Sequence, residues 1–167
     1  MRIISLILLV WSLQEEIDIH PKVTFSIYNA GIKVTGTIDS VRSIINFDPL
    51  DLSKNTIEAW ADAATVTTGI VIRDKHLKRK DYFDTETYPM IHLKSKSFKK
   101  AGRNKFTGDF DLTIKGITRS VPITFTILTS DGHSSYKGTF CVNRLDFNVG
   151  AESAILGNSV KVVVRID

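Results

Sequence analysis

The four histidines and the single cysteine are the residues that a catalytic or metal site would need, and their spacing argues against both. His20, His76, His92 and His133 lie far apart in the sequence, and no CxxC or HExxH motif accompanies them. Cys141 lies in an alternating apolar run, and the sequence places no activating base beside it. A GxSxG motif and a glycine-rich phosphate loop are also absent. We therefore expect no catalytic residue, no metal ligand and no cofactor.

The segment Arg73-Asp74-Lys75-His76-Leu77 is the strongest candidate for a polar binding site. On a helix, Arg73 and Leu77 would share one face, because residues four apart are neighbours. In one interpretation, Arg73 or His76 contacts an anionic head group. In the other, Arg73 and Asp74 pin the segment to the rim of the fold. Both interpretations stay open at this point, and the structural one is favoured.

The charged residues suggest a solvated surface rather than a nucleic-acid interface. The net charge is +4, and the basic residues are densest in segments 75–80 and 94–105. These segments carry no recognisable nucleic-acid-binding motif, so we expect no nucleic-acid partner. Asp109 and Asp111 resemble a catalytic carboxylate pair, but strand alternation turns them away from the apolar Phe110 and towards solvent.

The elements that must position these residues are strands with one apolar face. Residues 57–63 place Ile57, Ala59, Ala61 and Ala63 on one side, and residues 106–114 and 160–166 alternate in the same way. The period changes only at residues 70–80, which predict a short helix. Eight or nine strands without long helices predict an all-β fold, an antiparallel barrel that carries a short helical insertion around residues 70–80. A filled two-sheet sandwich is the rival architecture.

Small residues on the inner face would leave room inside such a barrel for one apolar guest. Each guest methylene that leaves water contributes about 0.8 kcal/mol, so a long chain could bind with almost no hydrogen bonds. On this basis, Phe placed at position 61 or 108 would reduce guest uptake. The residues predicted to line the apolar tunnel are Phe25, Ile27, Val34, Gly36, Ile38, Phe47, Ile57, Ala59, Ala61, Ala63, Leu77, Phe83, Ile91, Leu93, Gly108, Phe110, Leu112, Ile114, Phe125, Phe140, Phe147, Val162 and Val164.

The first 14 residues are predicted to form an export leader, and residues 15–167 are predicted to form one barrel domain. Arg2 precedes an apolar stretch of about ten residues, which is typical of a secretory signal and too short to span a bilayer. We expect a periplasmic or secreted protein, or a cytoplasmic one if the leader is not cleaved. We expect no stable membrane insertion.

Several ordered motifs resemble the YceI-like family of lipocalin-like, polyisoprenoid-binding proteins. The resemblance covers about residues 20–167 and includes a loose match at the first hairpin. The motifs that carry it are Arg73-Asp74-Lys75-His76-Leu77, Phe83-Asp84, Tyr88-Pro89, residues 108–119 (GDFDLTIKGITR) and Asn143-Arg144-Leu145-Asp146-Phe147. The loop after Phe147 departs from the family, which often has Gly directly after this Phe.

The resemblance implies an eight-stranded barrel that binds an amphiphilic lipid without catalysis. The implied guest is an isoprenoid, polyprenyl or quinone-like, or a fatty chain, and Phe83 and Phe147 are candidate gates at the mouth. A basic surplus favours phosphate or carboxylate head groups. Two alternatives stay open, namely a structural or stress-response barrel with a filled core and an enzyme that acts on a lipid. A homodimer also stays open.

Overall fold

The computed structural model describes residues 22–130 and 132–167, so the predicted leader lies outside the described residues. The described part contains nine strands and one short α-helix. The strands are β1 Lys22–Asn29, β2 Ile32–Ile38, β3 Val41–Asn46, β4 Thr56–Asp62, β5 Met90–Lys100, β6 Lys105–Ile114, β7 Ile117–Ser130, β8 His133–Asn143 and β9 Ser159–Ile166, and the helix is α1 Val71–Leu77.

All nine strands belong to one antiparallel sheet, in the order β2-β1-β9-β8-β7-β6-β5-β4-β3. The two outer strands, β2 and β3, are consecutive in the chain and are separated only by Asp39 and Ser40. Ser40 has a φ of 55°, a left-handed backbone that interrupts the extended conformation. β2 and β3 thus form one bent strand, in which β2 pairs with β1 and β3 pairs with β4. Because this strand joins the two outer ends of the sheet, the sheet curls into a barrel.

The chain that follows β4 pairs with the outer edge of β2. Thr37 and Thr67 exchange two backbone hydrogen bonds, with N···O distances of 2.8 and 3.0 Å. The backbone N–H of Asp39 also donates to the Thr65 hydroxyl at 2.9 Å. These bonds satisfy backbone groups that an open sheet edge would leave unpaired.

The all-β antiparallel barrel is confirmed, and three details differ from the prediction. One strand is split into β2 and β3 at Asp39 and Ser40, so nine segments replace eight. The strand expected to include Ala63 ends at Asp62, whose carboxylate accepts the Ala64 N–H at 2.8 Å and caps the 3-10 helix Ala63–Thr65. The helix expected over residues 70–80 is limited to Val71–Leu77.

Candidate functional site

The barrel interior contains an apolar cavity beneath the insertion, the segment of residues 63–89 that joins β4 to β5. Its volume is about 170 Å³, and almost all of its wall is carbon. An engineered apolar cavity of similar size, about 150 Å³, takes up benzene. Along β9 the wall runs from Val160 to Val164, which spans about 13 Å at about 3.3 Å per residue. The shape and chemistry suit a narrow hydrocarbon segment.

The opposite end of the barrel is filled by an aromatic plug, formed by Phe47, Phe98, Phe106, Phe110 and Phe125. The Phe47 ring lies 5.2 Å from Phe98, 5.0 Å from Phe106 and 5.5 Å from Phe125, in edge-to-face contacts. Phe106 and Phe110 are only 1% and 2% exposed. The cavity is therefore blind at the plug, and the prediction of a tunnel through the whole barrel is wrong.

Two alanines leave the space that the cavity occupies. Ala59 and Ala61 are buried on β4, and both line the wall. Register places Ala61 opposite Val41 on one side and Ile91 on the other, and all three line the same cavity. A larger residue at either alanine position would project into the cavity, which is what the alternation of β4 predicted.

Most of the residues predicted to line an apolar interior do so. Most of them lie on β1, β4, β5, β6, β8 and β9, and the others lie on β2, on α1, after α1 and in the loop after β8. Those that line the cavity are Phe25, Ile27, Ile38, Ala59, Ala61, Leu77, Phe83, Ile91, Leu93, Leu112, Ile114, Phe140, Phe147, Val162 and Val164.

The other predicted residues lie outside the cavity wall, so their assignment to the lining of an apolar tunnel is wrong. Phe47, Phe110 and Phe125 belong to the aromatic plug, and Ile57 packs in the same core cluster. Ala63 is buried in the 3-10 helix that follows β4. The remaining residues outside the wall are Val34, Gly36 and Gly108.

The glycines expected to leave room are occupied by neighbouring rings. A Cβ at Gly108 would lie 2.7 Å from Phe110 and 3.0 Å from Phe98. A Cβ at Gly36 would lie 2.4 Å from the Phe25 ring. The rings occupy the space beside both glycines. The missing side chains of Gly36 and Gly108 therefore allow close packing and do not open a channel. Phe at position 108 would therefore disrupt the core rather than selectively block uptake.

The insertion covers the cavity with Leu77 and Phe83, and its polar residues hold it in place. Asp74 accepts hydrogen bonds from the Thr67 hydroxyl at 2.8 Å and the Thr68 N–H at 2.7 Å. The side chain of Arg73 donates to the Thr68 hydroxyl at 2.7 Å. Hydrogen bonds, first among them the one from the Thr68 hydroxyl, lower the pKa of Asp74.

Arg73 and His76 both lie outside the cavity wall. The imidazole of His76 lies 3.2 Å from the Asp81 carboxylate, and its ring contacts Tyr82 edge-on at 4.9 Å. The geometry of Arg73 and Asp74 matches the pinning interpretation. Contact between either candidate and a lipid head group stays a prediction.

A buried arginine holds the second cover of the cavity, the loop of residues 144–158. Arg144 is 5% exposed and donates to the carbonyls of Gly157 and Val149 at 3.0 and 2.9 Å, and to the Asn158 side-chain oxygen at 3.0 Å. The same segment brings Phe147 against the cavity. All three acceptors are neutral groups of the loop itself, so Arg144 fixes the shape of this loop where it covers the cavity.

Sequence reasoning missed several lining residues. Four of them, Val23, Val41, Val142 and Val160, follow the alternation of predicted neighbours and could have been included on that signal. The others lie on irregular chain or on a strand face expected to be outward, where periodicity gives no guide. They are Trp60, Tyr82, Arg144, Val149 and Leu156.

The remaining polar candidates do not converge. Asp109 accepts a hydrogen bond from Ser97, Asp111 pairs with Lys96 at 3.1 Å, and Cys141 is exposed. Within residues 22–130 and 132–167, no group of three His, Cys, Asp or Glu side chains is arranged to hold a metal ion. In the same ranges, no helix has the length and hydrophobicity needed to cross a bilayer.

Comparison with known families identifies the chain. The profile of the YceI-like domain matches residues 12–167. The chain belongs to the YceI-like family. A UPF0312 protein of Photorhabdus laumondii is 28% identical over 155 residues, which cover 89% of this chain and 80% of that protein. Protein YceI of Escherichia coli is 24% identical, covering 89% of this chain and 81% of that protein.

Solved structures share the same fold. BcnA of Burkholderia cenocepacia superimposes with a TM-score of 0.83 at 24% identity, covering 87% of this chain and 94% of that chain. A polyisoprenoid-binding domain of Saccharophagus degradans gives a TM-score of 0.65 at 13% identity, covering 87% and 91%. At these identities the likeness describes the fold of this YceI-like chain.

Proposed function

We propose that the protein binds, stores or carries an amphiphilic lipid by holding part of its apolar chain in the barrel cavity, without chemical change. The observation that carries the proposal is the cavity itself, which is walled by carbon and closed by aromatic rings at one end. Such a site gains affinity from apolar burial and exposes almost no polar surface that could orient a reaction.

An isoprenoid is the proposed guest, with a fatty chain as the alternative. The fold is shared with a protein described as a polyisoprenoid-binding domain, which supports this choice. The cavity of about 170 Å³ takes only the end of a long chain. The rest of the chain and the head group would extend past the insertion and the loop held by Arg144. Export to the periplasm or outside the cell is part of the proposal and depends on the leader.

Native mass spectrometry of protein purified without detergent tests the proposal. We expect an added mass that organic extraction removes and that a polyprenyl alcohol or a fatty acid restores at a ratio of one per chain. Phe140→Ala removes a ring from the cavity wall and enlarges the cavity, so this variant should accept a bulkier chain. A bare chain mass that no lipid changes would favour the alternative of a barrel without a ligand. Turnover of the lipid would favour an enzyme.

A further inference from the structure

Within the insertion, the start of α1 carries three apolar side chains that the fold leaves in water. Ile70, Val71 and Ile72, here called the apolar tip, are 52%, 68% and 83% exposed. Ile70 is the N-cap of α1 and makes no side-chain capping bond. N-caps favour Ser, Thr, Asp or Asn, and β-branched residues are poor helix formers. These residue types therefore lower the stability of the start of α1, which indicates that they serve a purpose other than stabilising the helix.

Exposed cations follow the apolar tip along the same segment. Lys75, Arg79 and Lys80 are exposed, and within residues 22–130 and 132–167 none of them has a carboxylate at ion-pair distance. Helical spacing places Ile72 and Lys75 on one side of α1, because residues three apart share a face, and Arg79 follows shortly after the helix ends. Leu77 lies elsewhere on α1 and contacts the cavity. An apolar end flanked by cations is complementary to an anionic lipid surface.

The geometry of the apolar tip favours a fluid partner over a flat protein surface. Val71 and Ile72 are consecutive on α1 and point in directions about 100° apart, and Ile70 precedes them on extended backbone, so the three side chains do not share one helix face. Acyl chains can surround all three. A bilayer also offers the head-group charge that the neighbouring cations match.

We propose that the apolar tip docks the barrel peripherally on an anionic bilayer, with the insertion facing the lipid. The inference rests on the proposed lipid-binding function, because docking would place the covered mouth of the cavity beside its source of lipid. Leu77 and Phe83 belong to the docked segment and line the cavity, so the docking surface and the ligand site are parts of one insertion.

Flotation of the full chain with vesicles measures the docking. We expect binding to vesicles of equal phosphatidylglycerol and phosphatidylcholine, weaker binding to phosphatidylcholine alone, and loss in high salt. Ile72→Ser should lower partitioning about tenfold because one branched side chain no longer leaves water. Leu50→Ser is the matched control, since Leu50 is 91% exposed and lies outside the insertion. Lys80→Glu should lower partitioning at least about fivefold, whereas Lys137→Glu on β8 should change it little.

A local probe separates the apolar tip from any binding through the leader. Ile72→Cys, made in a Cys141→Ser background and labelled with an NBD dye, should shift to shorter emission wavelength on anionic vesicles. The same dye at Leu50→Cys should remain in water. A water-like signal from position 72 on vesicle-bound protein would overturn the proposal, as would no vesicle binding at all. Dimerisation that Ile72→Ser abolishes would also overturn it, since the apolar tip would then bind a second copy.

Uptake of a polyprenyl alcohol from solution distinguishes this inference from the proposed function. Ile72→Ser should load lipid in solution as the unchanged protein does, because position 72 lies outside the cavity wall. Normal loading with lost vesicle binding supports both proposals. Normal loading with unchanged vesicle binding overturns only the docking, and failure of the unchanged protein to load overturns the proposed function.

Discussion

Ala61→Leu should fill part of the cavity and weaken lipid binding while leaving the fold stable. Ala61 is 6% exposed and lines the cavity beside Ile91. Leu adds three carbon atoms that take the place of guest carbons. At about 0.8 kcal/mol per methylene, the guest loses about 2.4 kcal/mol, or about 60-fold in affinity.

The same three carbons should have little effect on the stability of the lipid-free protein. Their burial contributes up to about 2.4 kcal/mol, and the strain of a larger residue opposes it by about 1–3 kcal/mol. Ala63→Leu is the matched control, because Ala63 is 1% exposed and lies outside the cavity wall. There the strain has no compensating space, so we expect a loss of about 1–3 kcal/mol.

Two measurements check this prediction. Titration of the lipid-free protein with a fluorescent polyene fatty acid gives the affinity, and urea unfolding gives the free energy of unfolding. The reasoning is refuted if Ala61→Leu binds the probe as tightly as the unchanged protein, or if it loses as much stability as Ala63→Leu. Either result would mean that position 61 borders no usable space.

Three further predictions concern the covers of the cavity. Arg144→Met should lower the free energy of unfolding by about 3 kcal/mol or more, because three acceptors lose their donor, and urea unfolding measures this. Gly116→Ala should lower the midpoint of thermal unfolding more than Gly31→Ala. Both glycines have a positive φ, but a Cβ at Gly116 would lie 2.7 Å from the Tyr88 ring, whereas a Cβ at Gly31 would meet no atom within 4 Å. Asp74→Asn should lower the free energy of unfolding at pH 7, because the lowered pKa of Asp74 stabilises the fold at pH values above the ordinary value of 3.8. This stabilisation is lost when Asp74 is protonated in the folded state, so the difference between the variant and the unchanged protein should shrink as the pH falls below about 4. Urea unfolding at pH 7 and pH 3 measures that difference.

Alternation predicted most of the strand side chains that face inward. Ala59 and Ala61 lie on the cavity wall as the pattern of β4 predicted, because a strand has only two faces. The same rule would have found Val23 and Val160. The barrel also followed from the number and spacing of strands, although the split of one strand at Ser40 depends on a single backbone angle.

Alternation does not say how far along the barrel a residue lies, and this is why the blind end was missed. Gly108 and Phe110 face inward as predicted, yet they lie where rings from β5, β7 and the loop after β3 meet. That meeting depends on pairing register between distant segments. Arg144 was quoted in a motif, but its role depends on carbonyls 5 to 14 residues away in an irregular loop.

Completion of the cylinder depends on β9, because this strand lies between β1 and β8 in the sheet. β9 pairs with β1 on one side and β8 on the other, with Lys22 opposite Arg165. Until Ser159–Ile166 leave the ribosome, two strands have no neighbour there, and the earlier strands remain open to association with other chains. Because β9 pairs with β1, closure needs contacts between segments that are distant in sequence, and folding is expected to be slow. Removal of β9 would leave β1 and β8 without the neighbour that joins them.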